Sequence, residues 1–520
     1  MSMIARVLAG ARARWSLDEN ETRFVTEAER VFAPAPSGEG TRRVLVQMPP
    51  DYQCVIKFGA AVREFGGGNV ANNVECVGLW HQSVMSAPRE ETMQGLRREV
   101  RKVLNWLDFR KWKRLYHAIG ARRFVTLRPS VSVRRANWQE AGRIWQGLTS
   151  KDDVLAIMLN GTPCGDLIYD TYLRYRIQPT VDLADPFLRR LIAQALDAQH
   201  AIRAHLKEGR FERFFTNYSS YIQHGIPVRE ALRAGVEVFA CGNLTQVYKR
   251  LTLEDWLHTE AHWHYGERFA ALADKDTARA TAEAELQKRF AGAIDRATAY
   301  MKSSAYAANA SGALPAGVEG VVYLHDFFDS PHCYRSMVFP DYDAWARFTA
   351  KTIVEHNLPI AIKPHPNQLP ESALVVQKLK AEFPSVTFLD PKLPNNIIFK
   401  AGIKCGISIY GTVLSELAYH GIAALAAGDN PHVDFDICID ATSVEDYREK
   451  LIGFRDLKAP ANAKEQVLEF YYTHQFMHHD DLQVDFGPLD VMRLPVNQSI
   501  ALKTVVESYP PLVRAGGGKA

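Results

Sequence analysis

Ile362-Lys363-Pro364-His365-Pro366-Asn367-Gln368 closes an apolar run that begins at Leu358. Such a run reads as a buried strand. Pro364 and Pro366 suit neither a helix nor a ladder, so His365 is expected on a stiff loop just past a strand end. In an open α/β sheet that position is the ligand crevice. A second stretch, Ile407-Ser408-Ile409-Tyr410-Gly411-Thr412, closes another short strand, and Val413 to Tyr419, carrying Glu416, then opens a helix. Small hydroxyl residues and glycine at a helix start suit a phosphate, because free backbone N–H groups and the helix dipole both point at it. One histidine on a loop is equally well explained as a capping or solvated residue. Ligand-type residues at two strand ends give it a functional reading. His365 can donate to a phosphate oxygen, the N–H groups around Gly411 and Thr412 can cradle it, and Glu416 can accept from a ribose hydroxyl.

The same alternation extends in both directions. The run 321–324 reads as a strand whose exit carries His325, Asp326, Asp329, Ser330, His332 and Tyr334. Further strands are expected at 386–389, 402–409 and 423–426, with helices at 344–354, 372–383 and 395–400. Nearer the N-terminus, 41–48, 74–80, 124–127, 213–216 and 236–240 read as strands and 52–64, 138–146 and 228–234 as helices. Asp185-Pro186 supplies a cap and a first-turn proline for a long helix ending at Gly209. This pattern predicts an α/β fold with two doubly wound parallel sheets. No GxGxxG turn follows the first strand, so a dinucleotide site is not expected. The small-residue segment 303–320 reads as a linker. It separates an N-terminal Rossmann-like domain with a helical extension (1–310) from a second such domain (311–460). A helical tail (461–520) is expected to pack across both.

In the N-terminal half, 167–169 reads as a strand that delivers Asp170 to the crevice side, with Arg174 and Arg176 close behind. An aspartate there serves equally well as a helix cap. His81 follows the second strand, and His224-Gly225 falls in an expected loop, 221–227, where backbone can approach a ligand.

The chain has 520 residues, too many for one ordinary core, and a net charge of +3, which gives no footprint for nucleic acid. Seven cysteines without CxxC spacing suggest free thiols in a reducing cytoplasm. No apolar run is long enough to span a bilayer, and the N-terminus lacks the core of an export signal. With Arg6, Arg12 and Arg14 and no acid before Trp15, it reads either as a basic helix resting on a membrane or as a packed terminal helix. The basic segment 97–123, interleaved with Trp106, Phe109, Trp112 and Tyr116, suits anionic lipid or a polyanionic glycan carrier. It reads equally as a solvated face over a core stripe. His474, His478 and His479 have no carboxylate placed on their face and read as surface histidines.

KPHPNQ (363–368) and SIYGTVLSELAYHGIAALAAG (408–428) resemble the HP-motif glycosyltransferases of bacterial capsule and O-antigen assembly. The resemblance implies a GT-B fold, a CMP-activated keto sugar as donor, and a glycan or lipid-linked glycan acceptor at the cytoplasmic face of the inner membrane. It implies donor contacts on Lys363, His365, Pro366, Ser408, Gly411, Thr412 and Glu416, and the polar exit of the 321–324 strand adds His325, Asp326 and Ser330 to the expected donor site. Gly411-Thr412 departs from the Ser-Ser or Ser-Thr pair frequent in that family. GDLIYDTYLR (165–174) is similar to the Tyr-Asp segment of the retaining β-Kdo transferases, which implies that Asp170 is a nucleophile. Double displacement then needs a base, with His224 and His81 as candidates, and a cation for the sugar carboxylate, with Arg128 and Arg174 as candidates. Neither a metal nor a cofactor is expected. Three rivals stay open: an inverting CMP-sialic-acid-type or CDP-glycerol-type transferase, a sugar-nucleotide epimerase, and a non-catalytic scaffold that binds glycan in an export complex.

Overall fold

The computed structural model describes residues 15–32, 41–66, 74–80, 109–241, 248–259, 264–293, 304, 306, 312–334, 336–477, 482, 484, 486, 489–491, 494–495 and 498–508. The first sheet contains β1 (Arg42–Gln47), β2 (Val74–Trp80), β3 (Ala121–Thr126), β6 (Arg213–Thr216), β7 (Glu237–Ala240) and β8 (Lys249–Leu251), in the order β3-β2-β1-β6-β7-β8. All its pairings are parallel except β7 with β8. A small hairpin, β4 (Met158–Leu159) and β5 (Thr162–Pro163), stands apart. The second sheet is wholly parallel, in the order β10 (Ile360–Lys363), β9 (Gly320–Tyr323), β11 (Cys405–Ser408), β12 (Ala423–Ala426) and β13 (Ile439–Asp440). The strand expected at 386–389 is reduced to one parallel bridge from Phe388 to Ile362 at the sheet edge.

Both sheets are covered on two faces, which is why their strands read as unbroken apolar runs. In each, the winding reverses beside the first strand, between β1 and β6 and between β9 and β11. Two Rossmann-like domains of this kind, with a returning tail, make a GT-B fold. The helix Ala463–Phe476 packs on Lys275–Phe290 and Thr412–Tyr419, and Ile500–Ser508 then returns to the first domain, against Glu19–Val31 and Tyr52–Phe65. The helices at 265–290, expected as an extension of the first domain, pack instead with the second. Tyr265, Ala282 and Leu286 share a core with Ala418, Phe435 and Phe470.

Two local expectations are corrected. The segment 167–169 is not a strand but lies in the helix Gly165–Tyr172, which runs into a π-helical turn, Leu173–Ile177. Leu167, Ile168, Tyr169, Tyr172 and Leu173 are all buried, and a helix buried all round carries no amphipathic period to separate it from a strand. A Cβ at Gly165 would lie 2.0 Å from the Leu155 carbonyl oxygen, so the helix start is pressed against backbone. The loop expected at 221–227 is the start of the helix Ile222–Arg233, with Pro227 inside it. Gly225 lets that helix close on Leu167, whose Cδ2 would lie 2.3 Å from an added Cβ.

Residues 1–14 and 97–108 lie outside the described residues. Beyond them, 109–118 is helical, and Trp112, Leu115 and Tyr116 are buried in the first domain's core. Lys111 pairs with the buried Glu21 at 2.6 Å. The aromatic residues from 112 onward are thus a core stripe. Among the described residues no helix is long and apolar enough to cross a membrane.

Candidate functional site

The exits of β9, β10 and β11 converge on a pocket of about 310 Å³ at the second domain's switch point. His325, Lys363, His365, Pro366, Ser408, Gly411, Thr412 and Glu416 all line it. Most of the donor set expected from the sequence is therefore in one place.

Local chemistry fixes the state of the two histidines. The Asn367 backbone N–H donates to His365 Nδ1 at 3.2 Å, which makes Nδ1 the acceptor and leaves the proton on Nε2. Burial lowers the His365 pKa, so the ring is a neutral donor. His325 stacks on Tyr342 with centroids 4.8 Å apart, and its Nε2 lies 3.1 Å from Ser408 Oγ. Burial takes its pKa down to about 3. His325 thus holds the floor of the pocket as a neutral, packed ring. Ser408 Oγ donates in turn to the Tyr323 carbonyl at 3.0 Å. Lys363 donates to the Pro391 carbonyl at 3.2 Å, and burial brings its pKa to about 8 against the pull of Glu416 and Asp390.

Gly411 opens the helix Thr412–Tyr419 with φ 120° and ψ 165°, a conformation open essentially to glycine alone. One turn on, Glu416 is buried and engaged on both oxygens. Arg289 donates to Oε1 at 2.7 Å, and the Tyr306 hydroxyl donates to Oε2 at 2.5 Å. Arg289 also reaches Thr412 Oγ1 at 2.8 Å. Arg289 and Tyr306 were invisible to the sequence reading, because they belong to segments read as a charged helix and a linker. The pocket also contains Asn395 Oδ1 and the Tyr323 hydroxyl, both buried without a hydrogen-bond partner.

Two members of the expected donor set do other work. Asp326 accepts from the Leu369 backbone N–H at 2.6 Å and from Ser372 Oγ at 3.0 Å. It splints the His365 loop to the β9 exit and does not line the pocket. Ser330 lies toward the first domain, beside the hydroxyls of Tyr218 and Tyr221.

Asp170 lies in the seam between the domains, 2% exposed, with His332 Nδ1 of the second domain 2.6 Å from its Oδ1. Burial raises the Asp170 pKa against the opposing influence of His332. Burial alone would lower His332, but Asp170, Asp166 and Asp341 outweigh it and hold the imidazolium above its ordinary range. Arg229 neutralises Asp166 through an ion pair. Arg174 keeps a solvent-accessible face in the same cleft, among Tyr175, Tyr218, Tyr221 and the second domain's Asp329.

The remaining candidates scatter. His224 is buried at the start of its helix, and its Nδ1 donates to Gln47 Oε1 at 2.9 Å, which places it at the first domain's switch point. Arg128 is exposed and acts on Asp197 of the helix Pro186–Gly209, away from the pocket. His81 lies outside the described residues, as do His478 and His479. His474, expected as a surface histidine, is instead half-buried and lines the donor pocket, packed on Phe470 with rings 5.3 Å apart and in contact with the Tyr265 hydroxyl.

No protein-family model and no curated protein matches the chain. Solved structures similar to it include a putative UDP-N-acetylglucosamine 2-epimerase from Listeria monocytogenes, at 8% identity and TM-score 0.24 over 86% of this chain and all of that one. A UDP-GlcNAc 2-epimerase from Neisseria meningitidis bound to UDP-GlcNAc matches at 8% identity and TM-score 0.19, covering 82% of this chain and 99% of that one. The MnaA–UDP structure from S. aureus matches at 9% identity and TM-score 0.24, covering 86% and 99%. Likeness at this level says nothing of chemistry.

Proposed function

We propose that the protein is a glycosyltransferase that takes a sugar from a nucleotide-activated donor. The donor in this reading is a CMP-activated keto sugar, Kdo or a relative, and the acceptor is a bacterial surface polysaccharide or a lipid-linked glycan precursor. The observation that carries it is the pocket at the β9–β11 switch point. There a neutral His365 with its proton on Nε2 shares a wall with the Gly411–Thr412 helix start and the Glu416–Arg289 pair. Phosphate oxygens suit the first two and ribose hydroxyls suit Glu416. Arg289 adds a cation against the charge of the departing CMP. Arg174, in the cleft, is the cation of choice for the sugar's carboxylate.

Asp170 is the nucleophile of a retaining double displacement in this proposal. Its contact with His332 favours the carboxylate form that attack requires. The work takes place in the cytoplasm, at the inner face of the membrane, with the N-terminus or the part of 97–123 that precedes the buried stripe as the contact. No metal takes part in the proposed steps. The test is intact-protein mass spectrometry of wild type and Asp170→Ala after incubation with CMP-Kdo and no acceptor. A one-sugar mass increase on wild type alone supports the donor, the covalent step and the nucleophile together. CMP release that needs acceptor and leaves no adduct would keep the transferase and remove the nucleophile. Hydrolysis or isomerisation without acceptor would turn the reading to an epimerase-like enzyme.

A further inference from the structure

A second cavity, of about 500 Å³, opens between the domains and is lined by Asp166, Arg229, Asp255, Trp256, His332 and Tyr334 among others. Tyr334 also lines the first pocket, so the two share a wall. We infer that this crevice is the acceptor site, that it takes the hydroxyl end of an uncharged glycan, and that His332 accepts the proton of that hydroxyl. The inference rests on the glycosyl-transfer reading and adds the acceptor's chemical class and the base.

Three observations carry it. First, the crevice residues hold buried polar atoms with no hydrogen-bond partner, of both senses. Arg229 is 2% exposed with an unpartnered Nε, His332 has an unpartnered Nε2, and Asp255 has an unpartnered Oδ1. A sugar hydroxyl both donates and accepts, and matches such a mixture. Second, the Arg229 guanidinium lies 4.7 Å from the centroid of the Trp256 ring, which fixes that ring as an apolar platform in the wall. Third, Asp166 and Asp255 are each paired with a cation, Arg229 and Lys249, while Asp152 and Glu254 add negative charge to the lining, which disfavours a phosphate or carboxylate on the acceptor.

His332 is placed to act as the base. Its Nδ1 is held by Asp170 at 2.6 Å, which leaves Nε2 as the nitrogen for exchange. The groups facing it are Asp170, Asp166 and the edge-on Tyr169 ring from the first domain and Asp341 from its own, with Arg229 paired to Asp166. In the first displacement an Asp170 oxygen bonds to the anomeric carbon as the carbon–oxygen bond to phosphate breaks, and CMP leaves with the electron pair. Esterified Asp170 no longer offsets the imidazolium, which releases its Nε2 proton to water in the crevice, while CMP leaves as the phosphate anion. In the second, the acceptor oxygen bonds to the anomeric carbon, the electron pair returns to Asp170, and the hydroxyl proton goes to Nε2. The ion pair is restored.

The experiment combines adduct mass spectrometry with acceptor kinetics, using CMP-Kdo and alkyl glycosides of hexoses and N-acetylhexosamines, each with a phosphate- or carboxylate-bearing counterpart. His332→Asn is expected to accumulate the sugar adduct, to lose transfer by about 100-fold or more, and to recover part of it in added imidazole. Trp256→Ala is expected to raise the acceptor KM by about tenfold with a smaller effect on kcat. Wild-type transfer rates in His332→Asn, or lost transfer that imidazole does not restore although the adduct forms, would overturn His332 as the base. An unchanged KM in Trp256→Ala would overturn the siting, and a preference for charged glycosides would overturn the class. Wild type that forms no adduct and transfers no sugar would overturn the glycosyl-transfer reading itself, a result read without any variant.

Discussion

His365 and His325 are neutral for the same reason, burial, but are put to different use. His365 presents Nε2–H to the pocket because a backbone N–H occupies Nδ1. Replacing it with alanine removes one donor to a charged oxygen, worth about 1.5–3 kcal/mol. His365→Ala is therefore expected to weaken CMP binding by about 10- to 100-fold in calorimetry, with the melting temperature little changed. His325 is the structural one. Its folded pKa of about 3 lies below the ordinary 6.5, so the unfolded chain takes up the proton first as pH falls. The stability this represents is fully present above about pH 6.5 and is lost progressively toward pH 3. His325→Gln should flatten the slope of melting temperature against pH between 6.5 and 4, and an unaltered slope would assign the acid sensitivity elsewhere. Of the residues around these rings, the KPHP stretch announced itself through its prolines. Arg289 did not, because nothing in a charged helix marks one arginine among several as the partner of a carboxylate 127 positions later.

At the scale of elements, the short strands and their exits were legible, because parallel strands buried on both faces leave unbroken apolar runs closed by proline or glycine. The Asp170 element was not. It is buried on nearly every side, polar residues included, and only the packing of Gly165 on Leu155 and of Gly225 on Leu167 shows that two helices close there. Gly411 is where element and chemistry meet. At φ 120° and ψ 165° any other residue is strained by about 1–3 kcal/mol, although a Cβ would find only His325 Cε1 at an ordinary 3.5 Å. Gly411→Ala should lower stability in urea by that amount and also weaken CMP, since relief of strain moves the N–H groups of the helix start. One turn further, Arg289→Ala leaves Glu416 buried and short of its cation. Removing one partner of such a pair costs about 3–5 kcal/mol. Adding Glu416→Gln should recover a large part of that loss, and a strictly additive double mutant would show that the pair is not coupled.

At the scale of the whole molecule, the two sheets were foreseeable and their seam was not, since a seam pairs residues far apart in sequence and no single motif names both partners. Its centre is Asp341. That carboxylate, with the residue 0% exposed, caps the helix Tyr342–Glu355 through the Ala344 N–H at 2.7 Å. It also accepts from three first-domain groups: the Tyr169 hydroxyl at 2.5 Å, the Thr180 hydroxyl at 2.5 Å and Lys151 Nζ at 3.3 Å. Tyr169 is the neighbour of Asp170, so the contact that docks the domains also fixes where Asp170 meets His332. Cutting it from the first-domain side keeps the helix cap intact. Tyr169→Phe with Lys151→Ala should therefore leave CMP affinity close to wild type, because the donor pocket is built almost entirely from the second domain and the helices packed on it. Transfer to acceptor should fall by about tenfold or more, since a small displacement of a reacting group is enough for that. Calorimetry with CMP, turnover with acceptor and small-angle scattering on the same double variant separate the two effects. Intact transfer alongside an enlarged radius of gyration would mean that catalysis does not depend on this docking. Loss of CMP binding would place the donor site in the seam as well.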